Sequence, residues 1–135
     1  MNIYENKELV RRFYEAIDRE DYVSAAESLH KDFVFYFQVD SSILGADGFV
    51  ASEKKNFDAF EPFSFRIQEI LAEGHKVAAY MVFEGHHTKN AVFGIEPKGN
   101  FVRFSLLMLL TIQDGKIIEK RAHFDQADIL AQVAK

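Results

Sequence analysis

Four polar side chains alternate along a short stretch late in the sequence: Glu119, Arg121, His123 and Asp125. Successive side chains of a strand point to opposite faces, so a strand over Ile117–Asp125 would gather these four on one face. Asp125 is the candidate general base, because an apolar pocket would disfavour its ionised form and favour proton uptake. The alternative role for Asp125 is an N-cap of the helix that follows it.

His123 and Arg121 share that face and extend its possible chemistry. His123 could hydrogen-bond Asp125 or a substrate, and its alternative is a polar core residue satisfied by a backbone carbonyl. Arg121 could bind a substrate carboxylate or phosphate, or hold Asp125 ionised. An ion pair of Arg121 with Glu119 or Glu84 is the competing interpretation. The sequence therefore predicts catalytic Asp125 and His123, with Arg121 as a substrate-binding candidate.

Further candidate binding residues lie outside this stretch. Only one of the adjacent His86 and His87 can face inward from a strand, and His87 is the predicted pocket residue. Three tyrosine hydroxyls could stabilise an oxyanion, although core packing is their commoner role: Tyr14, Tyr36 and Tyr80. Phe60 and Met108 are predicted wall residues. No spacing signature gathers three or four metal ligands, so no metal site is predicted.

A long hairpin over Phe101–Asp125 is expected to position the polar stretch. Its first arm, Phe101–Ile112, is almost continuously apolar, with aromatic and β-branched residues at its ends. Asp114-Gly115 follows, and Asp-Gly between two apolar runs is a strong hairpin signal. The first arm falls short of the roughly 20 apolar residues that a membrane-spanning helix needs.

Apolar periodicity predicts the remaining elements. The predicted helices are Asn6–Arg19, Tyr22–Leu29, Ala46–Phe60 and Gln126–Val133. The predicted strands outside the hairpin are Phe33–Val39, Phe63–Glu73 and Val77–Phe83, the last continued by Gly85–Thr88. Asn6 and Asp47 are the predicted N-caps of the first and third helices, and residues 40–45 a loop. Helices followed by antiparallel hairpins indicate an α+β domain over residues 1–135.

Composition limits the class of protein. The chain has 135 residues, 48% of them hydrophobic, with fourteen Phe and five Tyr. This aromatic content exceeds the needs of a small core and indicates a pocket or an apolar oligomer interface. No cysteine is present, and the net charge of −5 without a basic run argues against nucleic acid and anionic membranes. With no apolar segment near Met1, we expect a soluble, cytoplasmic protein.

Several stretches, taken in order, carry a family resemblance. They are Leu9–Ile17 with Asp21, Leu29–Phe33, Gly45–Phe49 with Phe57–Phe60, Ile70–Val77, Gly85–Thr88, Gly94–Gly99, Asp114–Glu119, and Asp125 with Gln132. In these stretches the chain resembles the SnoaL-like polyketide cyclases of the wider NTF2-like, ketosteroid-isomerase-like superfamily. The resemblance covers nearly the whole chain.

The resemblance implies an NTF2-like cone, in which a curved mixed sheet wraps around three N-terminal helices and encloses a deep apolar pocket. It also implies that Asp125, at the matching position, acts as general acid and base in an intramolecular aldol ring closure without metal or organic cofactor. Three departures are visible. Arg121 stands where the family often has Trp, and Ala134 after Val133 replaces the terminal Gly that follows Gln-Leu in the family. The strand before Asp114-Gly115 also lacks the auxiliary histidine of the cyclases.

The predicted function is proton abstraction by Asp125 next to a carbonyl of a small hydrophobic substrate. His123 or a pocket tyrosine would steady the enolate, and cyclisation, isomerisation and dehydration all share this step. The alternative is a non-catalytic protein that binds a hydrophobic small molecule. A homodimer is expected in either case, because Phe101–Ile112 is apolar on both faces and one layer of helices covers only one of them.

Overall fold

Four helices and one six-stranded sheet make up the protein in a computed structural model that describes residues 1–135. The helices are α1 (Ile3–Asp18), α2 (Tyr22–Glu27), α3 (Gly45–Phe57) and α4 (Gln126–Val133). The strands are β1 (Leu29–Gln38), β2 (Ser41–Leu44), β3 (Phe60–Glu73), β4 (Lys76–His87), β5 (Phe101–Gln113) and β6 (Lys116–Phe124). The predicted α+β class with a mixed sheet is confirmed.

The sheet has the strand order β2-β1-β6-β5-β4-β3. All neighbouring strands are antiparallel except β1 and β6, which run parallel in the middle of the sheet. The core lies between the sheet and the helices that cover it, with α1 against β3 and α3 against β1. Phe83 of β4 is central to this core, and its ring lies 4.9–6.1 Å from five other Phe rings.

Helix α1 begins three residues before its predicted start. Asn2 caps it, and Asn2 and Glu5 form a reciprocal capping box in which each side chain accepts from the other's backbone N–H. The prediction that Asn6 is the cap is therefore wrong. Asn6 is buried in the first turn and donates a 3.3 Å hydrogen bond to the carbonyl oxygen of Gly74.

The β5–β6 hairpin is confirmed. Asp114 and Gly115 have φ values of 54° and 72°, the left-handed conformations that a two-residue turn of type I′ requires. Beyond the turn Ile112 pairs with Ile117, but the next pair is Thr111 with Glu119. Two residues of β5 thus oppose three of β6, which forms a β-bulge at Ile118. The alternation predicted for β6 is interrupted at this bulge.

Several predicted boundaries and caps change. Residues 41–44, predicted as loop, form the edge strand β2 on β1. Helix α3 ends at Phe57 because the chain from Phe60 onward pairs with β4. Asp47 lies in the first turn of α3 but does not cap it, because Leu44 holds the N-cap position without a side-chain hydrogen bond. Helix α2 ends at Glu27, two residues before its predicted end.

Candidate functional site

An apolar cavity of about 570 Å³ lies between α3, the inner face of the sheet and α4. Its aromatic and aliphatic wall comprises Phe35, Phe57, Phe60, Phe65, Phe83, Phe104, Leu106, Met108, Ala122 and Ile129. Three further Phe side chains line it while remaining 39–46% exposed: Phe37, Phe93 and Phe124. Such partly exposed rings at a cavity lining are suited to an apolar ligand that enters from solvent.

One pair of opposite charges is buried in this lining. Glu53 is 7% exposed and Lys120 is 1% exposed, and the Lys120 Nζ lies 3.8 Å from the Glu53 Oε1. This separation is an ion-pair distance and is longer than a hydrogen bond. An oxygen atom of a bound molecule could therefore interact with both groups. A buried acid and a buried amine within reach of one ligand are the elements of acid–base chemistry.

The two side chains come from elements that are otherwise apolar on the same side. Glu53 lies four residues after Phe49 and four before Phe57, so it belongs to the buried face of α3. Lys120 pairs with Leu110 of β5 and with Phe35 of β1 in the sheet register, and its side chain points inward with that of Ala122. The fold therefore holds the carboxylate on a helix and the amine on a central strand.

Aromatic rings surround the amine of Lys120. Its Nζ lies 4.5 Å from the centre of the Phe35 ring, 4.8 Å from that of Phe49 and 5.7 Å from that of Tyr14. Ring faces attract a cation, but they replace its water only in part. Burial lowers the pKa of Lys120, and the charge of Glu53 opposes this shift to a smaller extent.

The carboxyl of Glu53 is shifted in the opposite sense. Burial raises its pKa, and the positive charge of Lys120 counteracts only part of that effect. Both shifts favour the uncharged partners, a protonated acid beside a free amine. Proton exchange between the two groups is thus easier than between the same groups in water.

Tyr14 lies behind this pair in the core. Its hydroxyl is buried without a hydrogen-bond partner, and its ring does not line the cavity. Burial, and next the negative charge of Glu53, raise the pKa of the Tyr14 phenol well above its usual range. Tyr14 is therefore a neutral phenol. The predicted contact of Tyr14 with the ligand is wrong, because Tyr14 is buried in the core and does not line the cavity.

Of the other predicted binding residues, Phe60 and Met108 line the cavity, and their contact with a substrate stays a prediction. His87 does point inward and is fully buried, but it lies outside the cavity lining. Its Nε2 donates a 2.5 Å hydrogen bond to the carbonyl oxygen of Asn90, and its ring lies 5.5 Å from that of Phe60. His87 therefore fixes the segment after β4, and its predicted place in the pocket is wrong.

Asp125 and His123 do not face the cavity, and that prediction is corrected. Asp125 is exposed and caps α4 by accepting a 3.1 Å hydrogen bond from the backbone N–H of Asp128. His123 is exposed on the outer face of β6. Glu119, Arg121 and His123 lie on the outer face of β6, because its inner face presents Lys120 and Ala122 to the core.

Arg121 and two tyrosines also lie on the outer face, not in the pocket as predicted. The Arg121 guanidinium stacks 4.1 Å above the Tyr36 ring and pairs with Glu119 at 2.6 Å. The alternative interpretation of Arg121, an ion pair with Glu119, is therefore confirmed. Tyr80 is 41% exposed on β4. Arg121, Tyr36 and Tyr80 therefore belong to the outer surface of the sheet and not to the cavity.

Glu53 and Lys120 are not among the site residues predicted from the sequence, although the sequence pattern around each of them is unusual. Each is a charged residue at a position where the periodicity requires an apolar one. Glu53 interrupts the Phe49–Phe57 stripe of α3, and Lys120 shares strand parity with Ala122 and Phe124. A charged residue on a buried face is rarely tolerated without a partner.

No group of three or more His, Cys, Asp or Glu side chains is arranged to hold a metal ion. None of the four helices combines the length and apolarity needed to cross a bilayer.

The chain is similar to one known protein family and to several solved structures. A family model described as SnoaL-like polyketide cyclase matches residues 7–133. AclR, a candidate hydroxylase from Streptomyces galilaeus, superposes with a TM-score of 0.87 at 22% identity, covering 98% of both chains. A candidate SnoaL-like polyketide cyclase from Jannaschia sp. CCS1 superposes with a TM-score of 0.89 at 20% identity, covering 98% of this chain and 93% of that one.

A third structure shares the fold at lower identity. It is a protein of ketosteroid isomerase-like fold from Catenulispora acidiphila, solved with trimethylamine, with a TM-score of 0.76 at 15% identity. The alignment covers 94% of this chain and 92% of that one. At these identities the structural likeness establishes the fold alone. Among curated proteins no match to the chain was found.

Proposed function

The chain belongs to the SnoaL-like polyketide cyclase family, and from that premise we propose that it is a small-molecule enzyme of the cyclase or isomerase type. Its substrate is a hydrophobic carbonyl compound bound in the cavity. The observation that carries this proposal is the buried Glu53–Lys120 pair in a mostly apolar lining. Two buried ionisable groups carry a desolvation cost, and where they also face an accessible cavity they are typical of a functional site.

The proposed chemistry is proton transfer at a carbon next to the carbonyl. Glu53 in its ionised form accepts the proton, and the Lys120 ammonium stabilises the negative charge that develops on the carbonyl oxygen. The apolar lining strengthens this electrostatic interaction, because water that would screen it is excluded. Enolate formation is common to aldol cyclisation and double-bond isomerisation, so one pair of groups can serve either reaction.

The shape of the cavity supports a hydrophobic substrate class. Its volume of about 570 Å³ lies within the range of small-molecule sites. Phe57 and Phe83 stack at an interplanar angle of 14°, which gives the cavity a flat aromatic wall. Polar groups of the lining outside the buried pair are confined to one helix, at Ser52, Lys55 and Asn56 of α3. A mostly planar carbonyl compound with a polar end near α3 fits these features.

In this proposal Glu53 has the role of general base that the family resemblance implied for Asp125. The inner residue of β6 nearest to Asp125 is Phe124, which carries no ionisable group. In this proposal Asp125 supports the site only by capping α4, whose Ile129 lines the cavity.

The proposal is tested by α-proton exchange of an apolar ketone, 2-tetralone, in deuterated water, followed by NMR. We expect the wild-type protein to accelerate exchange and Glu53→Gln to lose that acceleration. Asp125→Asn is the matched control, since it removes the exposed carboxylate and should retain full activity. Loss of exchange in Asp125→Asn with retention in Glu53→Gln would return the base to Asp125 and overturn the assignment.

Ligand binding without chemistry is the second candidate. It is favoured by the ion-pair geometry, in which each charge already satisfies the other. In that case 2-tetralone would shift NMR resonances of cavity residues such as Met108 and Ala122, yet wild-type protein would leave its exchange rate unchanged.

We also propose a homodimer formed through the outer face of the sheet. Tyr80, Leu107 and Leu109 are 41%, 50% and 38% exposed there, and Tyr80 pairs with Leu107 in the sheet register. Together they form an apolar patch, with the Arg121–Glu119 pair beside it on β6. Exposed apolar patches with polar rims are typical of protein interfaces.

A further inference from the structure

We propose that Lys120 is a covalent catalyst, whose Nζ forms a Schiff base with the carbonyl carbon of the substrate. This inference rests on the proposed function and specifies how the buried pair acts. It changes Lys120 from an electrostatic partner into a nucleophile.

The geometry meets the requirements of an amine nucleophile. The Lys120 side chain is 1% exposed in the protein, yet it borders a cavity large enough for a carbonyl compound. The faces of Phe35 and Phe49 lie within 4.8 Å of Nζ. These groups neither accept a proton nor solvate an ammonium as water does, so the environment favours the free amine. Desolvation in a hydrophobic pocket is an established way to activate a lysine.

Glu53 provides the proton transfers that the reaction requires. It is the only carboxylate that forms an ion pair with Lys120, and Tyr14 is the other ionisable group close to the Lys120 Nζ. Because Tyr14 is a neutral phenol, proton exchange takes place between Glu53 and Lys120. The separation of 3.8 Å leaves the amine lone pair free for a substrate carbon once the proton has moved to Glu53.

The step balances without a co-reactant. The Lys120 ammonium first gives a proton to the Glu53 carboxylate. The amine then adds to the carbonyl carbon, a C–N bond forms, and the oxygen takes a proton to give a carbinolamine. The C–O bond breaks next and water leaves, so that a ketone and an ammonium have become a protonated imine and one water molecule.

The protonated imine makes the neighbouring C–H acidic. Ionised Glu53 can remove that proton, and the electron pair moves into a C=C bond as the C=N bond becomes a C–N bond, which gives an enamine. Attack of the enamine carbon on a second carbonyl of the same molecule forms the C–C bond of a ring and restores the protonated imine. The π bond of that carbonyl breaks, and its oxygen takes the proton held by Glu53. Hydrolysis of the resulting imine restores the Lys120 amine, so the cycle is complete.

The experiment traps this intermediate in the full-length wild-type protein. Benzaldehyde is added with sodium cyanoborohydride, which reduces a protonated imine to a stable secondary amine but leaves the free aldehyde intact, and the protein is digested with trypsin. We expect the adduct to form first at Lys120. Because a modified lysine is not cleaved, the product is a peptide spanning Ile117–Arg121 instead of Ile117–Lys120. This readout needs no variant and so does not depend on how a variant folds.

Two variants serve as controls. Lys54→Met removes an exposed lysine of α3 that does not line the cavity and should leave labelling of Lys120 unchanged. Lys120→Arg keeps a cation beside Glu53 but cannot form an imine, so labelling in this region should be lost. Incubation with pentane-2,4-dione provides a second readout, because its enaminone with a lysine absorbs in the near ultraviolet.

The outcomes separate this inference from the proposed function. If exchange of 2-tetralone depends on Glu53 but benzaldehyde labels only exposed lysines, the covalent role of Lys120 is overturned and proton transfer stands. If Lys120 is labelled first but wild-type protein does not accelerate exchange, the Schiff base stands and the proposed function fails. Full exchange activity in Lys120→Arg would also overturn the inference.

Discussion

The outer face of β6 carries several polar side chains and the inner face carries one. The inner face is nevertheless the one that borders the cavity. The outer face presents Glu119, Arg121 and His123, all in contact with solvent to some degree. The inner face presents a single polar side chain, Lys120, between apolar neighbours. A strand of nine residues thus separates a polar surface from a nearly dry cavity wall.

The difference shows that the surroundings of an ionisable group matter more than the number of such groups. On the outer face, Arg121 is satisfied by Glu119 and by the Tyr36 ring. Water and salt screen such exposed pairs, so they contribute little to stability. On the inner face, burial moves the pKa of Lys120 downward and that of Glu53 upward. The Glu53–Lys120 pair therefore has pKa shifts that favour proton transfer between its two members.

The largest expected effect comes from removing one member of the buried pair. Lys120→Ala leaves the buried Glu53 carboxylate without its partner, which typically costs about 3–5 kcal/mol of folding free energy. Arg121→Ala, one residue along on the outer face, should cost at most about 1 kcal/mol. Urea unfolding monitored by tyrosine fluorescence measures both. Equal losses in the two variants would remove the energetic contrast between the faces.

A second experiment targets the outer face as an interface. Leu107→Glu places a charge in the apolar patch opposite His123, and we expect the dimer to dissociate to monomers of 15.5 kDa. Size-exclusion chromatography with light scattering measures the mass. Val23→Glu is the control, since Val23 is 75% exposed on α2, away from the sheet, and its substitution should leave the mass unchanged. A wild-type protein that is already monomeric at micromolar concentration contradicts the proposed interface.

The smallest expected effect concerns Asp125. Asp125→Ala removes the N-cap of α4 and should lower the free energy of unfolding by about 1 kcal/mol. Asp125→Asn retains a capping side chain and should lie close to wild type, because Asn and Asp are similar caps. Thermal unfolding followed by circular dichroism compares the three proteins. If Asn destabilises as much as Ala, the capping role assigned to Asp125 is wrong.

Much of the fold follows from local sequence signals. The Asp114-Gly115 turn and the apolar run before it predicted the β5–β6 hairpin, and α4 has its predicted bounds, Gln126–Val133. Local signals did not reveal β2, because an edge strand of four residues gains its structure from pairing with β1. The start of α1 was missed for another reason, since the capping pair Asn2 and Glu5 lies before the apolar stripe that marks the helix.

The candidate site was less predictable because it depends on which face of β6 is buried. Strand alternation places residues in two sets but does not tell which set faces inward. The sequence favours the set richer in polar residues, with His123 and Asp125, as the functional one, and the bulge at Ile118 further disturbs the alternation. Glu53 and Lys120 are 67 positions apart in the sequence, from helix to strand, and only the tertiary structure brings them together.

The parallel pairing of β1 with β6 has a consequence for the order of folding. Contacts along this seam join residues far apart in the chain: the Nζ of Lys116 reaches the carbonyl oxygen of Glu27 across 89 positions, and His30 meets Asp114 across 84. Contacts of such long range close large loops and form slowly. During synthesis, β1 and α3 leave the ribosome long before β6 can join them. The nascent chain therefore contains Glu53 before Lys120 has been synthesised. The Glu53–Lys120 pair forms only when β6 is inserted into the sheet.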